Sequence, residues 1–410
     1  MKRVRDDMRR LSTLLLDYIK PLGMLQQDGP LRAMREVTAG IVFTGSVQLS
    51  NAARLFANTA TQLRDGVKRL SLRLADLHWN HQEWAAAVLQ QLADVVEPDD
   101  LIPIDGTELA KPYARRMQYA HTIRDASRVG DPLVNGYWCF GVHHWKPSCD
   151  SLSPLMLRPW SPRQPLFRSE NELMDRWFCT LRQATAGRGI WLIDRGGDRP
   201  EIFASLLGLQ PRWIVRLRRD RALLGPDGTI RSAAQWADWA LANRNQRGRA
   251  VTLAVQLPVD DVRQPHGPQR LWLVVPNYTF MRGGKPERWI LLTRGLIDQH
   301  VGPRQVRYDY ALRWRAEDGK RLIGQIWHAE RFLTRSFLAL ERMLWCVCLA
   351  GGFLAMLRRE EPQLTQQLDQ EVLYWDKDDP VKVPVYRTAR GIQAVALRTR
   401  GLSMPVLNNA

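Results

Sequence analysis

The chain has 410 residues, with 59 Lys and Arg against 42 Asp and Glu and a formal charge of +17. At 45% hydrophobic and 25% charged it has the make-up of an ordinary globular protein, which argues against wholesale disorder, a collagen-like repeat or a polytopic membrane protein. Fifty of the basic residues are Arg, whose planar fork of donors suits phosphate, so nucleic acid is the first partner to test and an acidic membrane surface the second.

At roughly 100–200 residues per domain, two or three domains are expected. Residues 1–98 read as helical. Leu11, Leu14, Leu15, Tyr18 and Ile19 follow helical spacing in a basic opening segment. Two short apolar helices then precede a third, Gln62 to Leu74, that carries Arg64, Lys68, Arg69 and Arg73. This is either a helix-turn-helix element or a small bundle with a solvated basic face. The acidic, proline-bearing stretch Val95–Asp100 reads as a linker.

Beyond the linker the texture alternates. The β-like run Leu101–Ile104 delivers Asp105, and strand-like segments recur at Gly136–Val142, Gly189–Ile193 and Trp213–Leu217, with a helical segment at Glu170–Arg182. Strands alternating with helices imply an α/β layer with helices on the faces of the sheet. Residues 219–288 carry turn signals around the β-rich runs Val251–Val255 and Leu271–Val275, and read as an inserted, mostly β subdomain. The α/β layer resumes at 289–358, and a tail, 359–410, ends in a helix near Arg387–Arg398. The apolar run Met343–Leu357 has fifteen residues; a bilayer span needs about 20, so it reads as a buried helix. Five scattered cysteines and an N-terminus without an apolar leader lead us to expect a cytoplasmic protein with no membrane partner.

Two carboxylates stand at the ends of apolar strand-like runs: Asp105 before Gly106, and Asp194 after Trp191-Leu192-Ile193. In α/β sheets functional groups gather at the carboxyl ends of strands, although an Asp there is often a plain turn residue. Farther on, Tyr310, Arg313 and Glu317 fall on one face of a helix at 100° per residue, with Arg321 one turn beyond. By charge pattern alone this is an exposed helix with salt bridges.

Together these residues resemble the bacterial DDE transposases of the insertion sequence four type. The resemblance rests on Ile104-Asp105-Gly106-Thr107, on Ile193-Asp194-Arg195-Gly196, and on the run Tyr310-x2-Arg313-x3-Glu317, and spans about residues 100 to 358. It implies a ribonuclease H-like mixed sheet flanked by helices and split into 99–218 and 289–358, with 1–98 binding DNA ends. The 89-residue interval from Asp105 to Asp194 suits three strands plus a helix. The 123-residue interval from Asp194 to Glu317 suits a β-rich insertion.

The resemblance further implies that Asp105, Asp194 and Glu317 are both the catalytic groups and the ligands of two Mg²⁺ ions, with Mn²⁺ as a substitute. Hard oxygen donors of this kind suit Mg²⁺, and two such ions activate a nucleophile and stabilise the leaving oxygen of an in-line displacement. Tyr310 and Arg313 would grip DNA near the scissile phosphate, with Lys111, Lys320 and Arg321 as further phosphate contacts. The expected partners are double-stranded DNA, as transposon inverted-repeat ends and target, and a second copy of the chain. The rivals are a non-catalytic or domesticated DNA-binding relative and a structure-selective nuclease. One departure stands out: the final Lys of the family's Tyr-x2-Arg-x3-Glu-x6-Lys signature falls on Gly324.

Other features have weaker readings. Cys139, His143, His144 and Cys149 invite zinc but lack paired ligand spacing. Arg212, Arg216, Arg218, Arg219 and Arg221 suit either a DNA channel or a solvated sheet edge. Trp236, Trp239 and Trp272 are core residues first and base-stacking groups second.

Overall fold

The computed structural model describes residues 2–25, 28–126, 128–243, 250–277, 280–282, 285–299, 301–373 and 384–399. Helices come first: α1 (Lys2–Ile19), α2 (Asp28–Thr44), α3 (Leu49–Arg54), α4 (Ala60–Ala75) and α5 (His81–Ala93). Their boundaries are written locally. Gly45 turns the chain out of α2 at φ +66, a conformation that needs no Cβ. The Thr59 and Asn80 side chains accept from the backbone N–H groups of Gln62 and Glu83, capping α4 and α5.

Strands and helices then alternate: β1 (Leu101–Ala110), β2 (His121–Arg124), β3 (Leu133–Lys146), β4 (Ser151–Trp160), α6 (Glu170–Ala184), β5 (Ile190–Ile193), α7 (Pro200–Leu209) and β6 (Arg212–Arg216). A hairpin of β7 (Ala222–Leu224) and β8 (Ile230–Ser232) leads into α8 (Ala233–Ala242), which opens on a Ser232–Gln235 capping box. Then come β9 (Ala250–Val255), β10 (Leu271–Pro276), the short pair β11 (Phe280–Arg282) and β12 (Lys285–Glu287), and β13 (Leu291–Arg294). The chain closes with α9 (Pro303–Ala311), α10 (Arg315–Arg321), α11 (Phe337–Glu360), α12 (Pro362–Leu373) and α13 (Pro384–Arg398).

The fold is mixed α/β, and it divides into two compact units. One comprises Met1–Val95, Gly106–Phe167 and Ala316–Ala410; the other comprises Val96–Asp105 and Arg168–Arg315. The five segments expected from sequence are thus regrouped: the N-terminal helices and the tail fall in one unit, together with 106–167.

In the second unit the sheet order, starting from the first half of β1, is β1-β5-β6-β13-β10-β9. β1, β5 and β6 are parallel, and β13, β10 and β9 add on antiparallel. Leu101–Ile104 and all of β5 are buried, as strands covered on both faces should be. α6 buries Met174, Trp177, Phe178 and Leu181, spaced at three and four residues, and sets Phe178 5.3 Å from Trp191 of β5. α7 does the same with Phe203, 5.9 Å from Trp213 of β6. The 219–288 segment is β-rich, as read from sequence, and its strands β9 and β10 continue this unit's own sheet beyond β13.

In the first unit the second half of β1 neighbours β3, which pairs antiparallel with both β2 and β4. Helix α11 is the core of this unit: every residue from Met343 to Leu357 is buried. It is the one helix among the described residues long and apolar enough to cross a membrane, and 89% of its most apolar window is buried inside the protein. β4, α2 and α5 pack against it.

Candidate active site

Parallel pairing in the second unit brings three candidate side chains to one edge of the sheet. Ile104 of β1 is the register partner of Ile193 of β5, and Ile193 is the partner of Val215 of β6. The next residues are Asp105 on β1, Arg216 on β6 and Asp194, in extended backbone just past the end of β5. Neighbouring strands lie about 4.8 Å apart and successive side chains alternate faces. These three therefore share the face opposite to Ile104, Ile193 and Val215, at the carboxyl end of β5 and β6. Asp105 differs from the expectation in one respect. The strand does not stop there, since β1 continues to Ala110; what ends at Asp105 is the pairing with β5.

Asp194 is fixed by the turn that follows it. Its Oδ1 accepts from the Gly196 N–H at 2.7 Å, capping a 3₁₀ turn at Arg195–Gly197. A Cβ on Gly197 would fall 2.2 Å from the Ile193 side chain, so the turn closes this tightly only with glycine. Its far end is pinned by Asp198, 1% exposed, which accepts from the Arg218 N–H at 2.6 Å and from the buried Arg221 guanidinium. Arg221 lies 5.6 Å over the Phe203 ring. Removing one partner of such a buried pair typically costs about 3–5 kcal/mol, so this clamp holds the Asp194 loop.

α9 supplies Tyr310, and the 3₁₀ turn Leu312–Trp314 supplies Arg313. Tyr310 is 3% exposed, its ring edge-on to Trp289 at 5.1 Å. Burial pushes its hydroxyl up to about 12, while Arg313, Arg216 and Asp194 act on it electrostatically. Tyr310, expected to grip DNA, thus has a buried ring, and its hydroxyl is hydrogen-bonded with Arg313. Arg313 donates from Nη1 to Asp105 Oδ2 at 3.2 Å, with both side chains largely buried. One turn earlier, burial raises the Asp309 carboxyl to about 6 despite a hydrogen bond from Gln305.

Glu317, Lys320 and Arg321 belong to the first unit. The expected single helix through Tyr310, Arg313 and Glu317 is interrupted: α9 ends at Ala311, a 3₁₀ turn intervenes, and α10 starts at Arg315. The tighter turn advances the chain by about 120° per residue instead of 100°, so a single helical wheel does not apply across it. Lys320 donates to Glu317 Oε1 at 3.3 Å, and Arg321 is exposed. α10 is seated by Gly319, where a Cβ would come within 2.3 Å of the His143 ring, and by the Tyr386 hydroxyl, which donates to the Asp318 carbonyl. Gly324 follows in a π-helical turn, Leu322–Ile326.

Lys111, expected as a phosphate contact, is enclosed by the protein. It is 8% exposed, donates to the carbonyls of Glu330 and Phe332, and lies 4.1 Å over the Phe332 ring. Desolvation lowers its ammonium to about 8. A cation enclosed in this way ties two chain segments together.

Asp105 and Asp194 supply hard carboxylate oxygens side by side, a donor set that suits Mg²⁺. Among the described residues no three His, Cys, Asp or Glu side chains are grouped for one metal ion, and this includes the Cys139–Cys149 cluster. Two members of the site were undervalued in the sequence. Arg216 was visible only as one of five arginines around a strand, and Trp289 only as the start of the next strand.

No protein-family model matches the chain, and no curated protein matches it. Among solved structures it is similar to a piggyBac transposase synaptic complex with hairpin DNA, determined by cryo-EM. The identity is 10% and the TM-score 0.45, over 98% of this chain and 81% of that one.

Proposed function

We propose that the chain is a DNA transposase of the DDE type, cleaving DNA at the ends of a mobile element and joining the freed 3′ ends to a target. The observation that carries the reading is that Asp105, Asp194 and Arg216 each follow a register-matched residue, Ile104, Ile193 and Val215, of three adjacent parallel strands, with Arg313 on Asp105. The chain order is compatible with a ribonuclease H-like core: four strands, β1 to β4, and helix α6 precede β5, and Asp194 follows its last residue.

In this reading Asp105 and Asp194 hold Mg²⁺ or Mn²⁺, and Glu317 is the third ligand by the signature it belongs to. Bound Mg²⁺ supplies the charge that activates water or a 3′-hydroxyl and stabilises the departing oxygen. The protein's own groups do the positioning. Tyr310, packed on Trp289, sets Arg313, and Arg313 and Arg216 offer guanidinium forks to the phosphate backbone beside the carboxylates. The Asp198–Arg221 clamp keeps Asp194 from drifting with its loop. A homodimer would bring two DNA ends together.

A second reading is favoured by Gly324. The side chain that would hold a phosphate in the signature is missing, which suits a relative that binds DNA without cutting it. Purified protein, Mg²⁺ and a duplex carrying the inverted repeats that flank the gene separate the two. The transposase reading expects nicked and joined products that vanish in Asp194→Ala and Glu317→Ala. Cleavage that survives both substitutions refutes the assigned site. Tight binding without cleavage makes the chain a binding relative, and breaks without joined products make it a nuclease.

A further inference from the structure

We propose that helix α4 is the DNA-reading helix of the chain, lying in the major groove of duplex DNA through Thr61, Arg64 and Lys68. The inference rests on the reading of the protein as one that acts on DNA, and adds the element that recognises it.

Helices α2, α3 and α4 meet at small residues. A Cβ on Gly40 would lie 2.4 Å from the Ala52 Cβ, and one on Gly66 would lie 3.2 Å from the Ala53 Cβ. α3 is thus wedged at van der Waals distance between its two neighbours. Leu70 and Leu74 are fully buried on the inner face of α4. Arg69 pairs with Glu36 of α2, itself 5% exposed. The end of α4 is fixed more firmly still. Arg342, fully buried in α11, donates to the carbonyls of Leu74 at 2.9 Å, Asp76 at 2.8 Å and Trp79 at 3.0 Å. A buried guanidinium on the last carbonyls satisfies acceptors that the helix end leaves open and complements its dipole.

The other face of α4 is bare. Thr61, Arg64, Asp65, Lys68, Ser71 and Leu72 are exposed, and 61, 64, 65, 68 and 72 fall within one side of the helix at 100° per residue. At the start of the helix Thr59 caps Gln62, and the Gln62 side chain accepts from the Asn58 N–H at 2.8 Å. At 16 residues α4 is about 24 Å long, and the major groove admits a helix of this girth. A helix anchored at its C-terminal end and free along its N-terminal half presents the geometry of a recognition helix, whose first turns meet base edges.

Charge decides the occupant. α4 carries Arg64, Lys68, Arg69 and Arg73 against Asp65 alone; Arg69 pairs with Glu36 and Arg73 with Asp76, so Arg64 and Lys68 supply the positive charge of the exposed face. The Arg64–Asp65 pair, 3.7 Å apart and well exposed, holds its members weakly. An anionic membrane would ask for apolar side chains between the basic ones. The exposed apolar residues, Leu72 and Leu77, lie only at the far end.

The test uses the full-length protein, a pool of random-sequence DNA duplexes, and vesicles of phosphatidylserine and phosphatidylcholine. The wild type should enrich a preferred duplex sequence and bind vesicles weakly. Arg64→Ala and Lys68→Ala should each weaken duplex binding by roughly tenfold and lower the salt slope by about one, and the double variant should lose the preferred sequence. Lys68→Arg should keep the affinity. Both side chains are exposed, and an unchanged melting temperature confirms that the variants fold. A double variant with unaltered affinity and preference overturns the proposal while leaving the transposase reading intact. Vesicle binding that is lost with α4 while duplex binding persists also overturns it. α4-dependent duplex preference without any Mg²⁺-dependent cleavage supports the helix assignment and refutes the catalytic reading alone.

Discussion

Asp309 shows how burial sets the chemistry of a single side chain one turn before Arg313. Its carboxyl is raised to about 6, chiefly by desolvation, against about 3.9 for an unperturbed Asp. A raised carboxyl means that the folded state holds the proton more tightly than the unfolded chain. Stability is therefore lowest above about pH 6 and recovers as pH falls towards about 4. The contribution is on the order of 2–3 kcal/mol. Asp309→Asn keeps an acceptor for Gln305 and cannot ionise, so it should raise the melting temperature at neutral pH and leave it almost unchanged near pH 4. A difference between the two proteins that is flat from pH 4 to 7 would disprove the assignment. Asp105 and Asp194 were legible as individual candidates, because an Asp that closes an apolar run is conspicuous in a sequence. That Arg216 stands beside them was not, since the register joining Ile104, Ile193 and Val215 is set by pairing between residues far apart in the chain.

At the scale of elements, the segment after Glu317 offers a direct test. Gly324 lies in a π-helical turn, and a Cβ there would meet nothing within 4 Å. Gly in a helical interior is disfavoured by roughly 0.5–1 kcal/mol relative to Ala, so Gly324→Lys should leave the melting temperature unchanged or slightly higher. The new ammonium should strengthen duplex binding and, in the transposase reading, raise the cleavage rate. Calorimetry together with a binding titration checks both; a substantial loss of stability would show the open space to be illusory. Element identity was largely readable. The periodicity of Met174, Trp177, Phe178 and Leu181 marks α6, and the apolar run from Met343 marks α11. Element ends were less so. Nothing local announces that α9 gives way to a 3₁₀ turn before α10, or that β1 runs past Asp105, because both depend on what the chain packs against.

At the scale of the molecule, the charge of +17 is a statement about association rather than fold. If the chain neutralises about 6–10 phosphates, its duplex affinity should fall by about 10³–10⁵ between 50 and 200 mM salt. Asp194→Ala removes a negative charge near Arg216, so it should leave that affinity equal or higher and, in the transposase reading, abolish cleavage. A weak salt dependence in an anisotropy titration would rule out an extensive phosphate footprint. Some of the basic residues counted in that charge have other work. Lys111, Arg221 and Arg342 are enclosed and bind carbonyls, a carboxylate and aromatic rings.

The sequence by itself determined what depends on neighbours along the chain: the helical N-terminal region, the alternating strands and helices, the caps, the buried apolar helix, and the acidic residues worth suspecting. Tertiary structure decided which of those residues share a sheet edge, which cations are buried, and that β9 and β10 prolong a sheet instead of forming their own. The division has a physical cause. Periodicity and capping are interactions over three or four residues and are written in order, whereas register and burial are free energies of surfaces that meet only when the chain has folded.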